Sequence, residues 1–373
     1  MFEAPPFWMY VIGFLLLLGP LVTLHELGHY LVGRWFGVKA EAFSVGFGKE
    51  LAGYTDRQGT RWKLSALPLG GYVQFKGDMN PASIPDPHAP AEPGSFQNAA
   101  LWKRALIVAA GPVTNILVAL AIFFAFNLSF GNPLPVEPEE VGTIAAFTEG
   151  SRAKAAGFAV GDRIVAVDGQ EMDSWRAIQQ TIMLQPNHRF VITVQRDGER
   201  LELPVTTASQ QLTDRFGNAQ TVGLIGVRTI ETEERFAPLS ITEAAGLAVQ
   251  QCIDTTAMMI TGIAQIIRGD RSVSEMGGPL KIAKFSGEQL SLGPLAFISL
   301  AALISLNLAF INFLPIPALD GGHLMFYAAE AIRRKPVGPR ATEWAYRTGI
   351  ALVLMLMVVV TVNDIVTLPI FGS

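Results

Sequence analysis

The sequence predicts a polytopic α-helical membrane protein of about four transmembrane helices, with a membrane-associated β-hairpin and an inserted α+β domain. Three observations predict it. Half of the 373 residues are hydrophobic and only 16% are charged, a balance that suits lipid-facing helices and excludes a disordered chain. Uncharged apolar runs recur at lengths able to cross about 30 Å of hydrocarbon at about 1.5 Å per residue. Between the second and third runs lies a stretch with the alternation of β-strands and the dipeptides of tight turns.

The first run extends from Phe7 to Leu24 and leads into His25, Glu26 and His29. A cleaved signal peptide would begin with a positive segment, whereas the first basic residue, Arg34, follows the run. The second run, Ala105 to Phe130, has no charge. The third lies within the uncharged stretch Gln289 to Leu319, its helix bounded by Pro294 and Pro315. The fourth, Thr348 to Ile370, is interrupted by Asn363 and Asp364. Of the 28 basic residues, nine fall between Arg34 and Arg104 and five between Arg333 and Arg347. These clusters flank spans directly and predict cytoplasmic loops, while a loop of roughly 160 residues between spans two and three is too long for that rule. Both termini and the long loop are then expected outside, and the histidines toward the cytoplasmic side.

Four regions follow: residues 1–130 as an N-terminal membrane core, 136–228 as the inserted domain, 239–290 as amphipathic linker helices and 291–373 as a C-terminal membrane core. Within the first, short β-like runs cover Thr60 to Leu64 and Gly71 to Phe75, and the proline-rich Asn80 to Gly94 reads as a loop. The segment Leu67 to Phe75 is apolar but too short and glycine-rich to span. It reads either as a hairpin dipping into the membrane beside a polar cavity or as an ordinary cytoplasmic hairpin. In the inserted domain, Arg163–Asp168 and Arg189–Val194 alternate as strands, Asp168-Gly169 and Asp197-Gly198 supply turns, and Ser174–Met183 reads as a helix with Ser174 in the N-cap position. Ile241 to Ile267 is amphipathic, and Glu243, Gln250, Gln251 and Asp254 predict a helix lying on the membrane surface.

One cysteine, Cys252, excludes an internal disulfide framework and a cysteine-based zinc module. A net charge of −4 gives no basis for a nucleic-acid partner. The chemistry concentrates in His25-Glu26-Leu27-Gly28-His29. On a helix the two imidazoles share a face one turn apart and can hold one metal ion, with Glu26 beside them as a general base. Ionisable groups inside an apolar span are costly and need partners, which favours a metal over a polar packing cluster. A catalytic zinc takes three protein ligands. His88, in the proline-rich loop, and His188, in the inserted domain, are poorly placed for the third. The end of span three, Asn312-Phe-Leu-Pro315-Ile-Pro317-Ala-Leu-Asp320-Gly-Gly-His323, offers Asp320, with His323 as the alternative.

The stretch Ser151-x-Ala-x-x-Ala-Gly157-x-x-x-Gly161-Asp162 resembles a PDZ domain of the bacterial protease type, a module that captures extended peptides by strand addition. The HExxH motif in span one, Gly111-Pro-Val-Thr-Asn115 in span two, one PDZ domain, then Asn-x-x-Pro-x-Pro-x-Leu-Asp-Gly resemble the site-2 protease family, and within it the RseP-type regulator-of-sigma-E proteases. Gly70-Gly-Tyr-Val-Gln-Phe75 and Gly277-Gly-Pro-Leu-Lys-Ile282 match as well, so the likeness covers nearly the whole chain. It departs in having one PDZ domain where some relatives have two. The resemblance implies a zinc-dependent intramembrane endopeptidase of the bacterial inner membrane, with its PDZ domain on the periplasmic side. Its implied partners are membrane lipids and single-pass membrane protein substrates such as anti-sigma factors, with a peptide C-terminus at the PDZ domain. The match implies zinc on His25, His29 and Asp320 and Glu26 as base. It implies substrate contacts from Asn312 and Pro315, from Gly70, Gly71, Tyr72 and Val73 of the hairpin, and from Asn115. From another class, a catalytically inactive membrane PDZ scaffold is the competing reading, which the intact Glu26 disfavours.

Overall fold

Four helices in the computed structural model are long and apolar enough to cross a membrane, among the described residues 5–77, 92–133, 142–172, 175–213, 219–229, 236–269, 277–335 and 338–367. The loop expected over 80–94 with His88, Ser174, the start of the inserted domain at 136 and the last residues of the fourth span lie wholly or partly outside them. The first span, α1, runs Phe7–Trp35 and carries Pro20 inside it. It is followed by β1 (Ala40–Thr55), β2 (Arg61–Phe75) and α2 (Leu101–Phe130), the second span, with Pro112 inside. A proline removes one backbone donor and loosens the turn before it. Near each proline a threonine hydroxyl donates to a backbone carbonyl of its own helix, Thr23 to Gly19 O at 2.7 Å and Thr114 to Ala110 O at 2.8 Å, which satisfies the hydroxyl inside an apolar span.

The hairpin is more elaborate than the two short runs in the sequence suggest. β1 and β2 pair antiparallel with repeated register shifts: Ala40 opposes Phe75 and Val45 opposes Gly71, while Phe43 also opposes Trp62 and Thr55 opposes Arg61. The first half of β1 therefore lies between the two halves of β2, and the segment 71–75 forms an edge. Phe43, Val73 and Phe75 are buried with Tyr30 and Val38, Ile107 and Tyr327. Each such apolar side chain contributes about 1.5–3 kcal/mol on burial, enough to fix the edge segment against α1 and α2.

The next elements form a compact unit of residues Phe126–Ala244: β3 (Asn132–Pro133), β4 (Ile144–Phe147), α3 (Arg152–Ala155), β5 (Arg163–Val167), β6 (Gln170–Glu171), α4 (Trp175–Met183), β7 (Arg189–Arg196), β8 (Glu199–Thr206), β9 (Ala208–Thr213), β10 (Ala219–Leu224), β11 (Val227–Thr229) and β12 (Phe236–Ala237). Strands β6-β5-β7-β8 make one sheet; β4 pairs β11, β9 pairs β10 and β3 pairs β12. Both Asp-Gly turns have positive φ at each central residue, 50° and 79° at Asp168-Gly169 and 50° and 87° at Asp197-Gly198. This is the twist that suits tight hairpins. Ile144, Ile164, Ile178, Phe190, Ile192 and Val194 fill the core. Fully buried Asp162 accepts Arg196 Nε at 2.6 Å, Arg196 Nη2 at 2.7 Å and the Ala159 N–H at 2.8 Å.

The remaining helices belong to a second unit, Pro5–Ala125 with Ala245–Ser373, joined through α5 (Ile241–Arg268) and continuing with α6 (Pro279–Ser291), α7 (Pro294–Phe313), α8 (Asp320–Arg333) and α9 (Pro339–Thr367). The third and fourth candidate spans are Pro294–Phe313 and Thr342–Val366. Exposed Leu354, Met355, Leu356 and Met357, four consecutive residues that go around α9, have no place on a water-facing helix. α5 is not among the candidate spans; its Cys252 and Met259 pack with Ala119 and Phe123 of α2 and Leu306 of α7. Asp364, which interrupts the fourth apolar run, is buried and accepts the N–H groups of Gly278 at 3.0 Å, Leu280 at 3.1 Å and Lys281 at 3.0 Å. It supplies acceptors for the free donors at the start of α6, where Gly278 offers no side-chain cap.

Candidate active site

His25 and His29 lie one turn apart on α1, edge to face with ring centroids 4.8 Å apart. Their Nε2 atoms are 3.2 Å apart. Asp320 Oδ2 lies 3.2 Å from His25 Nε2 and 3.5 Å from His29 Nε2. Four close approaches hold this geometry. Gly28 has no room for a Cβ, which would sit 2.5 Å from Ala110 O and closer to Thr114 Oγ1, so α1 and α2 meet backbone to backbone. Gly111 of α2 is open toward the imidazoles; a Cβ there would lie 2.8 Å from His25 Nε2 and 2.5 Å from His29 Cε1. Glycines 321 and 322 let the start of α8 fold onto the end of α7, where a Cβ would meet the Phe313 and Ile316 carbonyls. The connecting loop, with Pro315, Pro317 and Ala318 at φ 93°, turns the chain so that Asp320 opens α8.

A metal fits this constellation. Ligand distances of about 2.0–2.2 Å in a tetrahedron put ligand atoms about 3.3–3.6 Å apart, and the three separations here are 3.2, 3.2 and 3.5 Å. Among the described residues His25, His29 and Asp320 form the metal-capable group. Asp320 Oδ2 is buried without a hydrogen bond, although two ring nitrogens lie beside it. His29 Nδ1 donates to Ile107 O at 2.8 Å, one residue from Val108, whose carbonyl loses its helical donor to Pro112. That bond places the Nδ1 proton and leaves Nε2 as a lone pair facing Asp320. Asp320 stands in the first turn of α8, where the helix dipole favours a carboxylate anion.

Glu26 points into the same cavity, of about 190 Å³, which Val73, Phe75, Ile107, Asn312 and His323 also line. Its Oε2 accepts the Val73 N–H at 3.1 Å, tying the carboxylate to the edge segment of the hairpin. Gly71 is beside it, a Cβ position there lying 3.5 Å from Glu26 Cγ. Gly70 has φ 119°, and Tyr72 stacks on Phe47 at 6.0 Å. Asn312 reaches the cavity from the last turn of α7, whereas Pro315 is in the loop and is not among the lining residues. Asn115 is completely buried, its amide 3.2 Å from His25 Nδ1. Of the two candidates for the third position, Asp320 joins the histidines. His323 lines the cavity with Nδ1 bonded to Tyr346 Oη at 2.7 Å, and burial pushes its imidazole down to about 4. His188 packs its ring against Phe190 in the inserted unit.

A two-histidine, one-aspartate centre beside a glutamate, in a chain with four candidate spans, defines a class: a multi-pass membrane metalloendopeptidase. The chain belongs to peptidase family M50, the site-2 proteases; the family model described as Peptidase family M50 matches residues 13–356. It is 42% identical over 369 residues, covering 96% of each chain, to a protein of Agrobacterium fabrum named "Putative zinc metalloprotease". A protein of Rhizobium meliloti with the same description is 41% identical over 363 residues, covering 94% of this chain and 95% of its own. "Metalloprotease MmpA" of Caulobacter vibrioides is 32% identical over 389 residues, with 96% of each covered. Zinc is the cofactor of the family, and of this chain as a member of it.

Proposed function

We propose that this protein is an RseP-type site-2 protease that hydrolyses peptide bonds within transmembrane segments, anti-sigma factors among them. The observation that carries the proposal is the convergence of His25 Nε2, His29 Nε2 and Asp320 Oδ2 in a cavity shared with Glu26, on helices that cross or end at lipid depth. His25, His29 and Asp320 hold the zinc. When bound, zinc lowers the pKa of water and polarises a carbonyl. Glu26 takes the proton from the attacking water and returns it to the leaving amine. Its bond to Val73 holds one carboxylate oxygen and leaves the other to carry the proton.

A peptide bond in a transmembrane helix is shielded, so the substrate must unwind, and its freed backbone groups must be met inside lipid. The edge segment of the hairpin, Gly71 to Phe75, meets them by strand pairing, with Gly70 and Tyr72 shaping its approach. Asn312, from the rim of the cavity, and Pro315, in the loop beside it, position the unwound segment. The sheet β6-β5-β7-β8 with α3 and α4 supports reading the inserted unit as a PDZ domain. Its role here is to select substrates on the periplasmic side of the bacterial inner membrane, by taking a peptide C-terminus or by excluding bulky outer domains.

The test pairs zinc analysis with cleavage of a model transmembrane peptide. Glu26→Gln is expected to keep zinc and lose turnover by at least about 10²-fold, while Asp320→Asn loses zinc itself. Turnover retained in purified Glu26→Gln protein would refute the assignment. Deleting residues 136–228 is expected to admit substrates with large outer domains or without a free C-terminus; unchanged selectivity would remove the selecting role.

A further inference from the structure

We infer that Asn115 is a positioning residue for the metal, its side-chain oxygen accepting the Nδ1 proton of His25 and thereby presenting His25 Nε2 as a lone pair. The inference rests on the metal reading above and gives Asn115 a role other than the substrate contact that the family resemblance implies. Asn115 is completely buried, and its amide meets His25 Nδ1 at 3.2 Å. A side chain with no exposed surface and its polar end on an imidazole has no face left for a substrate.

Two arrangements of the amide fit the same heavy atoms. In one, Nδ2 donates to His25 Nδ1 while Oδ1 is left buried without a partner, and the ring proton is driven to Nε2. In the other, Oδ1 accepts from Nδ1–H and Nε2 is free to ligate. The exchange of amide oxygen and nitrogen is settled by the chemistry of the neighbours. His29 shows what those neighbours require. Its Nδ1 faces the carbonyl of Ile107 at 2.8 Å, which can only accept, so the His29 proton sits on Nδ1. His25 Nε2 lies within 3.2 Å of both His29 Nε2 and Asp320 Oδ2. A protonated Nε2 cannot ligate, so His25 needs the tautomer of His29 and an acceptor at Nδ1. Asn115 Oδ1 is that acceptor. The residue is itself fixed from a third helix: Ser305 of α7 donates its hydroxyl to the Asn115 carbonyl at 2.8 Å, setting the height of α2 against the helix that leads to Asp320.

The test measures zinc affinity of the full-length protein in detergent by competition with a chelator, using zinc alone. Asn115→Leu, close in volume and unable to accept, is expected to weaken zinc binding about 10–100-fold. Asn115→Asp, which when ionised can only accept, is expected to keep zinc within about threefold of wild type or bind it more tightly. Wild-type affinity in Asn115→Leu, with a raised KM for the peptide, would overturn the inference in favour of substrate contact. Loss of zinc in Asn115→Asp would overturn it in favour of an amide that donates, and that variant decides the point even if the leucine variant misfolds. A wild-type protein that binds no zinc would defeat the metal reading itself. Either variant result obtained with intact wild-type binding counts against Asn115 alone.

Discussion

Gly111→Ala sets helix propensity against site geometry. In a helix interior this change ordinarily stabilises by about 0.5–1 kcal/mol. Here the new methyl would lie 2.8 Å from His25 Nε2 and 2.5 Å from His29 Cε1, and nearer still to His29 Nε2. Relief to an ordinary contact requires a relative shift of about 1 Å between α2 and the His29 ring, a displacement that costs a reacting centre about 10²-fold. The ring cannot simply tilt away, because its Nδ1 is bonded at 2.8 Å to Ile107 O, on the same helix that carries the methyl. At Gly28 the backbones of α1 and α2 approach too closely to admit even a Cβ, so α2 has little room to move toward α1. The expected outcome is a helical, assembled protein whose zinc affinity and cleavage rate both fall about 100-fold. Zinc titration, peptide cleavage and thermal unfolding of the purified protein measure the three quantities together. Zinc binding and turnover within about threefold of wild type would refute the reasoning, since the methyl would then fit where the geometry leaves no room.

Two further predictions concern groups away from the metal. Asp364→Ala removes the acceptor of three N–H groups at the start of α6. A loss on the order of 3 kcal/mol is expected, read as faster hydrogen exchange of α6 amides; wild-type exchange would remove the capping role. In the inserted unit, burial raises the Asp162 carboxyl, but the Arg196 and Ala159 hydrogen bonds outweigh it and hold it below the ordinary range. A carboxyl lowered in the folded state contributes stability that is present above its unfolded value, about 3.9, and is lost as pH falls through the lower folded value. Exchange protection of this unit should therefore decline as the pH drops below about 4, and Asp162→Asn should flatten that decline. An unchanged acid profile in the variant would exclude Asp162 as its source.

The spans were legible because a membrane imposes a simple demand, a long uncharged run, and α7 begins and ends where Pro294 and Pro315 suggest. The Asp-Gly turns were equally plain, since few other dipeptides accept two positive φ angles. The rest depends on what no local pattern records. Asp320 and His323 are three residues apart and share a helix face, so periodicity could not choose between them; the loop through Ala318 at φ 93° sets which one meets α1. Asn115 could be read as a motif residue but not as a neighbour of His25, because that contact depends on how closely α1 and α2 approach at Gly28. Asp364 looked like an interruption of the fourth span, its partners lying more than 80 residues upstream. The Ile107 carbonyl was invisible for a different reason: it belongs to the backbone, and every residue has one.

The distinction between a metal centre and an inert polar cluster reduces to counting protons. His29 spends its Nδ1 proton on Ile107 O, so a neutral ring turns a lone pair toward Asp320 Oδ2 at 3.5 Å. Asp320 Oδ2 brings only lone pairs, and His25 Nε2 stands 3.2 Å from both. With both rings neutral, one shared proton can bridge one pair of these atoms and leaves the third facing an acceptor. In a low-dielectric interior such an unpaired, converging set is strongly unfavourable. Hydrogen bonds alone would be served better by letting the rings rotate apart, which for His29 the Ile107 bond prevents. A divalent cation satisfies all three acceptors at once from a single point, and the shape of the surrounding helices makes sense as the means of keeping that point fixed.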